Sequence, residues 1–264
     1  MTTAPDLRQH SPQVEKTPAK AHGGPLRIAH RGPQAFEAEQ YRVLGHIVEQ
    51  LGKAGRPVIA ISSPVAGDGK TITSINLART LAQAPESRVL LVDADLRRGS
   101  VGEQLGFGRS TSLGLAGAIA DAGCRLETVV RRRPASNLSV LPAGACPPMP
   151  YEALRSPRVG ELLKEARESY DCVLVDTPPV VPVADLRALS QWVDGIFLVV
   201  SAHYTPRALV DEALSALDPE KVVGIVYNGD DQPLSRQYRA YYSYGEPAPR
   251  PGFWASLLSA GGRR

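Results

Sequence analysis

Three features of the chain predict an α/β fold, a mostly parallel sheet covered by helices. First, six short runs are apolar at nearly every position: Val58–Ile61, Val89–Val92, Leu138–Leu141, Cys172–Val175, Ile196–Val200 and Val222–Val226. Runs this short suit strands buried on both faces. Second, the stretches around 70–83, 158–169, 184–191 and 206–216 carry helical spacing, so strand and helix alternate as in a parallel sheet. Third, the pattern is confined to residues 35–229. Residues 1–34 hold prolines at 5, 12, 18, 25 and 33 without apolar periodicity, which predicts a disordered N-terminal tail. Beyond Asn228 the pattern dissolves, and residues 230–264 read as a flexible, tyrosine-rich C-terminal tail.

The first element of the folded region is a helix. Tyr41, Leu44, Ile47, Val48 and Leu51 recur at three- and four-residue spacing between Phe36 and Leu51, with Gly45 a mild weakness. Charge excludes one function class. The net charge of +3 comes from the two tails, while residues 35–229 hold 20 basic and 22 acidic residues. A nucleic-acid footprint needs a basic face or a dense run. The one dense run, Arg131-Arg132-Arg133, reads as a solvated loop, so no nucleic acid is expected. Cys124, Cys146 and Cys172 are scattered without CxxC spacing, which points to neither a disulfide framework nor a zinc site. With no spanning apolar run and no signal segment, the chain reads as cytoplasmic.

The chemistry concentrates where the strands end. The first apolar run leads into Ser62-Ser63-Pro64-Val65-Ala66-Gly67-Asp68-Gly69-Lys70-Thr71, and a helical pattern follows (Ile72, Ile75, Leu77, Ala78, Leu81). This is the setting of a P-loop. Glycines let backbone N–H groups turn around phosphate oxygens, and the helix N-terminus favours negative charge. Gly67, Asp68, Gly69, Lys70, Thr71 and Ile72 are the candidate phosphate-binding residues; Lys70 reaches the β- and γ-phosphates and the Thr71 hydroxyl ligates Mg²⁺. Pro64 stands where the strict motif has glycine, and a bare Gly-Lys-Thr is common by chance. Two acidic strand ends strengthen the signal. Val89–Val92 runs into Asp93-Ala94-Asp95, with both acids on one side if the strand continues, and Cys172–Val175 runs into Asp176. Parallel sheets bind ligands at these ends, so Asp93, Asp95 and Asp176 are expected around one Mg²⁺–nucleotide. Taken singly, each acid reads as a helix cap or turn residue.

The pairing of this loop with a DxD strand resembles the ParA/MinD-like branch of P-loop proteins, and within it the bacterial tyrosine kinases. Partition ATPases carry a lysine where Val65 stands, whereas Ser63-Pro-Val-Ala-Gly-Asp-Gly-Lys-Thr71 is similar to the kinase loop, with Ala66 and Asp68 as mild departures. Asp93-Ala-Asp-Leu-Arg-Arg98 resembles the kinase Walker A′ segment and Asp176-Thr-Pro-Pro179 its Walker B end. Leu141-Pro-Ala-Gly144, Pro147-Pro148 and Glu152-Ala-Leu-Arg-Ser-Pro157 resemble a stretch these kinases carry before Walker B. Tyr238, Tyr241, Tyr242 and Tyr244, four of the nine tyrosines, fall within seven residues. Alone they read as a sticky docking loop. Behind this P-loop they resemble the cluster these kinases phosphorylate on themselves or a neighbour, whereas Tyr227, expected to be buried, is unsuited to that role.

The resemblance implies an ATP- and Mg²⁺-dependent protein-tyrosine autokinase of exopolysaccharide or capsule assembly. In that analogy Lys70 neutralises the transferring phosphoryl group, and Thr71, Asp95 and Asp176 hold the metal. Asp93 accepts or orients the phenol proton, and a phenol pKa near 10 makes placement matter more than full deprotonation. Asn228 bonds adenine, or serves as a turn residue. Implied partners are a membrane polysaccharide co-polymerase acting as activator, a protein-tyrosine phosphatase and further copies of the chain, with the kinase peripheral at the membrane through its activator. The family's Glu-x-x-Arg-x-x-Arg ring motif is matched by Glu39 and Arg42 but ends at Gly45, so ring formation is not carried over. Phe253, Trp254, Ala255, Leu257 and Leu258 form a short apolar patch, a candidate anchor. Two alternatives stay open: an ATP-switched positioning ATPase, and a non-catalytic ATP-binding regulatory subunit.

Overall fold

The computed structural model describes residues 36–108, 113–132 and 136–229; the expected tails, with Tyr238, Tyr241, Tyr242 and Tyr244, lie outside the described residues. Among the described residues one seven-stranded sheet forms the centre. Its strands are β1 (Val58–Ser62), β2 (Val89–Asp93), β3 (Arg131–Arg132), β4 (Leu138–Leu141), β5 (Cys172–Asp176), β6 (Gly195–Ser201) and β7 (Val222–Asn228). They lie in the order β3-β4-β2-β5-β1-β6-β7, parallel throughout except for the edge pair β3–β4. The expected α/β architecture is the observed one.

Two apolar layers explain why the central runs are apolar at every position. Side chains alternate across a strand. Val58, Ala60, Leu90, Val92, Val173 and Val175 face one layer, and Ile59, Ile61, Val89, Leu91, Cys172 and Leu174 face the other. The second layer is closed by α1 (Phe36–Leu51) and α2 (Lys70–Leu81), with α3 (Val101–Gln104) at its margin. The first is covered by α4 (Leu115–Ala120), α5 (Leu126–Val129), α6 (Pro150–Arg155), α7 (Pro157–Ser169), α8 (Asp185–Leu189) and α9 (Arg207–Ser215).

Several local readings change. The helix expected over Phe36–Leu51 forms with those bounds, and Gly45 turns inward, where a Cβ would meet Leu81 Cδ2 at 3.5 Å. Position 45 is therefore a packing position against α2. Val43, Ile47 and Leu51 face outward, and Glu39 pairs with Arg42 along the helix. The triple-arginine segment is not wholly a loop. Arg131 and Arg132 form an exposed edge strand, and Arg132 Nε donates to Ser139 Oγ at 2.8 Å. Strand β7 is not buried on both faces, because it is an edge, and Tyr227 is 70% exposed where burial was expected.

Candidate active site

The site is built at the carboxyl ends of β1, β2 and β5. Register aligns them: Ile61 and Asp93 both pair with Asp176. From β1 the chain turns through residues 63–69 into α2. Gly67 (φ 100°) and Gly69 (φ 94°) occupy the left-handed region that favours glycine. At Gly69 the requirement is also spatial, because a Cβ would lie 2.0 Å from Asn228 Nδ2. The first N–H groups of α2 have no intrahelical acceptor and are free for an anion at this end.

Around this end the structure gathers four of the expected residues into one network. Lys70 Nζ lies 3.1 Å from Asp95 Oδ2 and 3.7 Å from Asp176 Oδ2. Thr71 Oγ1 donates to Asp176 Oδ2 at 2.7 Å, and Ser74 Oγ to Asp176 Oδ1 at 2.9 Å. Burial works against a charge on Lys70, but Asp176, Asp95 and Asp93 outweigh it and hold the ammonium above its ordinary pKa. Burial likewise pushes the Asp176 carboxyl up, against the pull of Lys70 and the two hydroxyls.

Asp93 is placed differently. The strand ends at Asp93, so the acids do not continue as a strand pair. Asp93 Oδ1 accepts from the Asp95 N–H at 3.3 Å and Oδ2 from the Val101 N–H at 3.0 Å. Burial, then the Asp176 charge, pushes its carboxyl up to about 7. Asp95, not Asp93, lines the adjoining cavity of about 510 Å³ together with Lys70, Ile72, Arg98, Pro178 and Val183. A cavity of about 540 Å³ lined by Arg88, Glu127 and Tyr170 lies at the opposite, amino end of the strands, away from these carboxylates.

The other flank of the loop holds its shape. Asp68 is 3% exposed; its Oδ2 accepts from the Val65 N–H at 3.2 Å and its Oδ1 from Thr205 Oγ1 at 2.7 Å. Asn228 Nδ2 donates to the Asp68 carbonyl at 2.9 Å. The carboxylate of Asp68 is thus turned into the protein, and Asn228 is bound to the loop itself. Ser74 and Thr205 are absent from the sequence reading. Ser74 stands one helical turn after Lys70, a spacing that offers a weak signal; Thr205 is 137 positions from Asp68 and offers none.

Three carboxylates share this site with one lysine. Among the described residues, no three acidic, histidine or cysteine side chains are grouped to hold a metal by themselves. The donor set therefore suits a cation that draws its remaining ligands from phosphates and water, as Mg²⁺ does. Thr71, Asp95 and Asp176 fit that cation, and the clustered negative charge is what it would offset.

The AAA domain family matches residues 56–206. The tyrosine-protein kinase YwqD of Bacillus subtilis is 34% identical over 218 residues, covering 81% of this chain and 90% of that one. The chain belongs to the bacterial tyrosine kinases. The solved kinase domain of the Escherichia coli tyrosine kinase ETK superposes with a TM-score of 0.67 at 28% identity, covering 75% of this chain and 78% of that one. The succinoglycan biosynthesis transport protein ExoP of Rhizobium meliloti is 34% identical over 212 residues, 78% of this chain and 26% of that protein. Several curated relatives are thus far longer than the matching kinase region, which makes up 26–29% of them. ParA-family and MinD ATPases share the fold at lower identity. The chain is a protein-tyrosine kinase, and no described helix is long and apolar enough to cross a membrane.

Proposed function

We propose that the kinase transfers the γ-phosphoryl group of Mg²⁺–ATP to tyrosines of its own C-terminal cluster, Tyr238, Tyr241, Tyr242 and Tyr244. The carrying observation is the Lys70 ammonium, held between Asp95 and Asp176 at the mouth of the loop. In this reading the loop N–H groups from Gly67 to Ile72 bind phosphate, and Lys70 swings from the aspartates to the β- and γ-phosphates. Thr71, Asp95 and Asp176 hold the Mg²⁺, which when bound supplies charge neutralisation on the phosphate oxygens. The phenol attacks in line, the bond from γ-phosphorus to the bridging oxygen breaks, and ADP departs. Asp95, lining the cavity, orients the phenol and takes its proton. Asp93 fixes Asp95 through the Asp95 N–H. Asn228 keeps its Oδ1 for adenine while its Nδ2 holds the loop.

The name of ExoP ties that relative to succinoglycan biosynthesis and transport, and supports a role for this kinase in exopolysaccharide or capsule assembly. A membrane co-polymerase then activates it and holds it at the inner face of the membrane, and a protein-tyrosine phosphatase resets it. In domain terms residues 35–229 are the kinase unit, with 1–34 and 230–264 as tails. The test is phosphosite mass spectrometry of wild type and Lys70→Met with Mg²⁺–ATP, with and without the cytosolic segment of a neighbouring co-polymerase. Phosphate on Tyr238–Tyr244 in wild type alone supports the reading. Nucleotide hydrolysis without phosphotyrosine favours the positioning-ATPase alternative.

A further inference from the structure

Among the described residues two tyrosines stand out into solvent, Tyr204 (75% exposed) and Tyr227 (70%). Each immediately precedes a residue that holds the phosphate loop: Thr205 bonds the Asp68 carboxylate and Asn228 the Asp68 carbonyl. Tyr204 lies in the turn between β6 and α9. His203 before it is the sole non-glycine among the described residues with positive φ, 64°, a conformation uncommon outside glycine that Asn, Asp and His adopt more readily than other side chains.

Four hydrogen bonds hold that turn. Tyr204 N–H and Thr205 N–H donate to the Ser201 carbonyl at 3.3 and 3.1 Å, and Ser201 N–H donates to Thr205 Oγ1 at 3.2 Å. Ala202 N–H donates to the Asn228 carbonyl at 2.8 Å, tying the turn to the end of β7. The Thr205 hydroxyl therefore takes part in both the turn and the loop. A change at Tyr204 has a short path to Asp68.

We propose that Tyr204 is a phosphorylation site of this kinase, modified by a second copy of the chain, and that phosphate there weakens nucleotide binding by loosening the Thr205–Asp68 contact and adding negative charge beside the loop. The inference rests on reading that loop as the nucleotide site. In the transfer, the bond from the γ-phosphorus to the bridging oxygen of ATP breaks. A bond from Tyr204 Oη to phosphorus forms, ADP leaves, and the phenolic proton passes to a carboxylate of the donor site and then to solvent.

Topology favours a second copy. In the sheet, β1 stands between β5 and β6. Lys70, Asp95 and Asp176 gather on the β5 and β2 side, whereas Tyr204 follows β6 on the other. The residues read as handling the transferred phosphoryl group and Tyr204 thus lie on opposite sides of β1. Tyr227 is the poorer acceptor, since it lies within β7 in register with Val200. A phosphotyrosine carries about −1.5 to −2 charges at neutral pH. Screening acts over about 8 Å at physiological salt, so an electrostatic effect of that charge should shrink as salt is raised.

The experiment has two arms on the full chain. In the first, wild type, Lys70→Met and Tyr204→Phe are incubated with Mg²⁺–ATP and mapped by mass spectrometry. Phosphate on Tyr204 in wild type and not in Lys70→Met supports the site. Phosphotyrosine confined to residues 238–244 overturns it and leaves the kinase reading standing, whereas no phosphotyrosine at all overturns both. In the second arm phosphotyrosine is installed at position 204 during translation, and affinity for a fluorescent ADP analogue is measured. The expected loss is roughly three- to tenfold, shrinking as salt is raised. Affinity within twofold of the unmodified chain overturns the regulatory effect. The conservative Tyr204→Phe variant, pre-incubated with ATP, retains full affinity if Tyr204 is the responsible residue.

Discussion

Replacing Thr205 by valine should weaken nucleotide binding while leaving the fold intact. Valine keeps the shape of threonine and removes only the hydroxyl. That hydroxyl donates to Asp68 Oδ1 at 2.7 Å and accepts from the Ser201 N–H at 3.2 Å. Asp68 is 3% exposed, so little water is at hand to replace the lost donor. A hydrogen bond to a charged group contributes about 1.5–3 kcal/mol. The Val65 N–H still satisfies the other carboxylate oxygen, which keeps the loss near the lower end. The loop must be ordered to receive phosphate, so the cost falls on binding, as a roughly 10- to 30-fold rise in Kd at about 1.4 kcal/mol per tenfold. Isothermal titration with ADP and Mg²⁺ measures it, and circular dichroism of the nucleotide-free chain should show the fold retained. Thr205→Ser should restore most of the affinity because it returns the hydroxyl. A valine variant that binds ADP within twofold of wild type refutes the idea that Thr205 shapes the loop.

Gly69→Ala should abolish nucleotide binding, since the new Cβ meets Asn228 Nδ2 at 2.0 Å in a backbone of φ 94°; equilibrium dialysis with ATP checks this. Arg97→Ala strips the guanidinium that bonds Asp185 Oδ2 at 2.8 Å and Oδ1 at 3.1 Å, and leaves a fully buried carboxylate unpaired. Breaking such a pair costs about 3 kcal/mol, readable as a lower urea midpoint, and adding Asp185→Asn should recover part of it. In the nucleotide-free chain with chelator, Asp93 should make stability fall with rising pH. Its carboxyl is raised from 3.8 to about 7, so the folded state holds its proton more tightly than the unfolded one. That contribution is full below about pH 4 and is lost as pH rises through about 7, reaching an upper bound of about 4 kcal/mol. Urea titrations across that range should show a slope that Asp93→Asn flattens.

The fold was legible because both sheet faces are covered. Residues such as Ile59 and Ala60 are apolar in succession for opposite layers, and a run of that kind between helical stretches has few other homes. Lys70, Thr71 and Asp176 were legible because each stands at a strand end or helix start, where local sequence and position in the sheet coincide. Asp95 was legible by its neighbourhood, but the reason given for it fails, since the strand stops at Asp93. What escaped was fixed by tertiary contact. Tyr227 reads as buried in an apolar run, and only the order of strands shows that β7 is an edge. Thr205 and Asp68 meet across 137 positions, and no local pattern announces it.

The two flanks of the loop divide the work, and that division bears on regulation. On the β5 and β2 side, Lys70, Asp95 and Asp176 form a charged network whose partners must rearrange when phosphate arrives. On the β6 and β7 side, Asp68, Thr205 and Asn228 form hydrogen bonds that a bound nucleotide has no need to break. Under the proposed function the first set governs transfer, and altering it should remove activity outright. Under the same reading the second sets how well the loop is formed before binding, so altering it should grade affinity. A modification that tunes the kinase without destroying it therefore belongs on the β6 and β7 side, where the chain exposes Tyr204 next to Thr205.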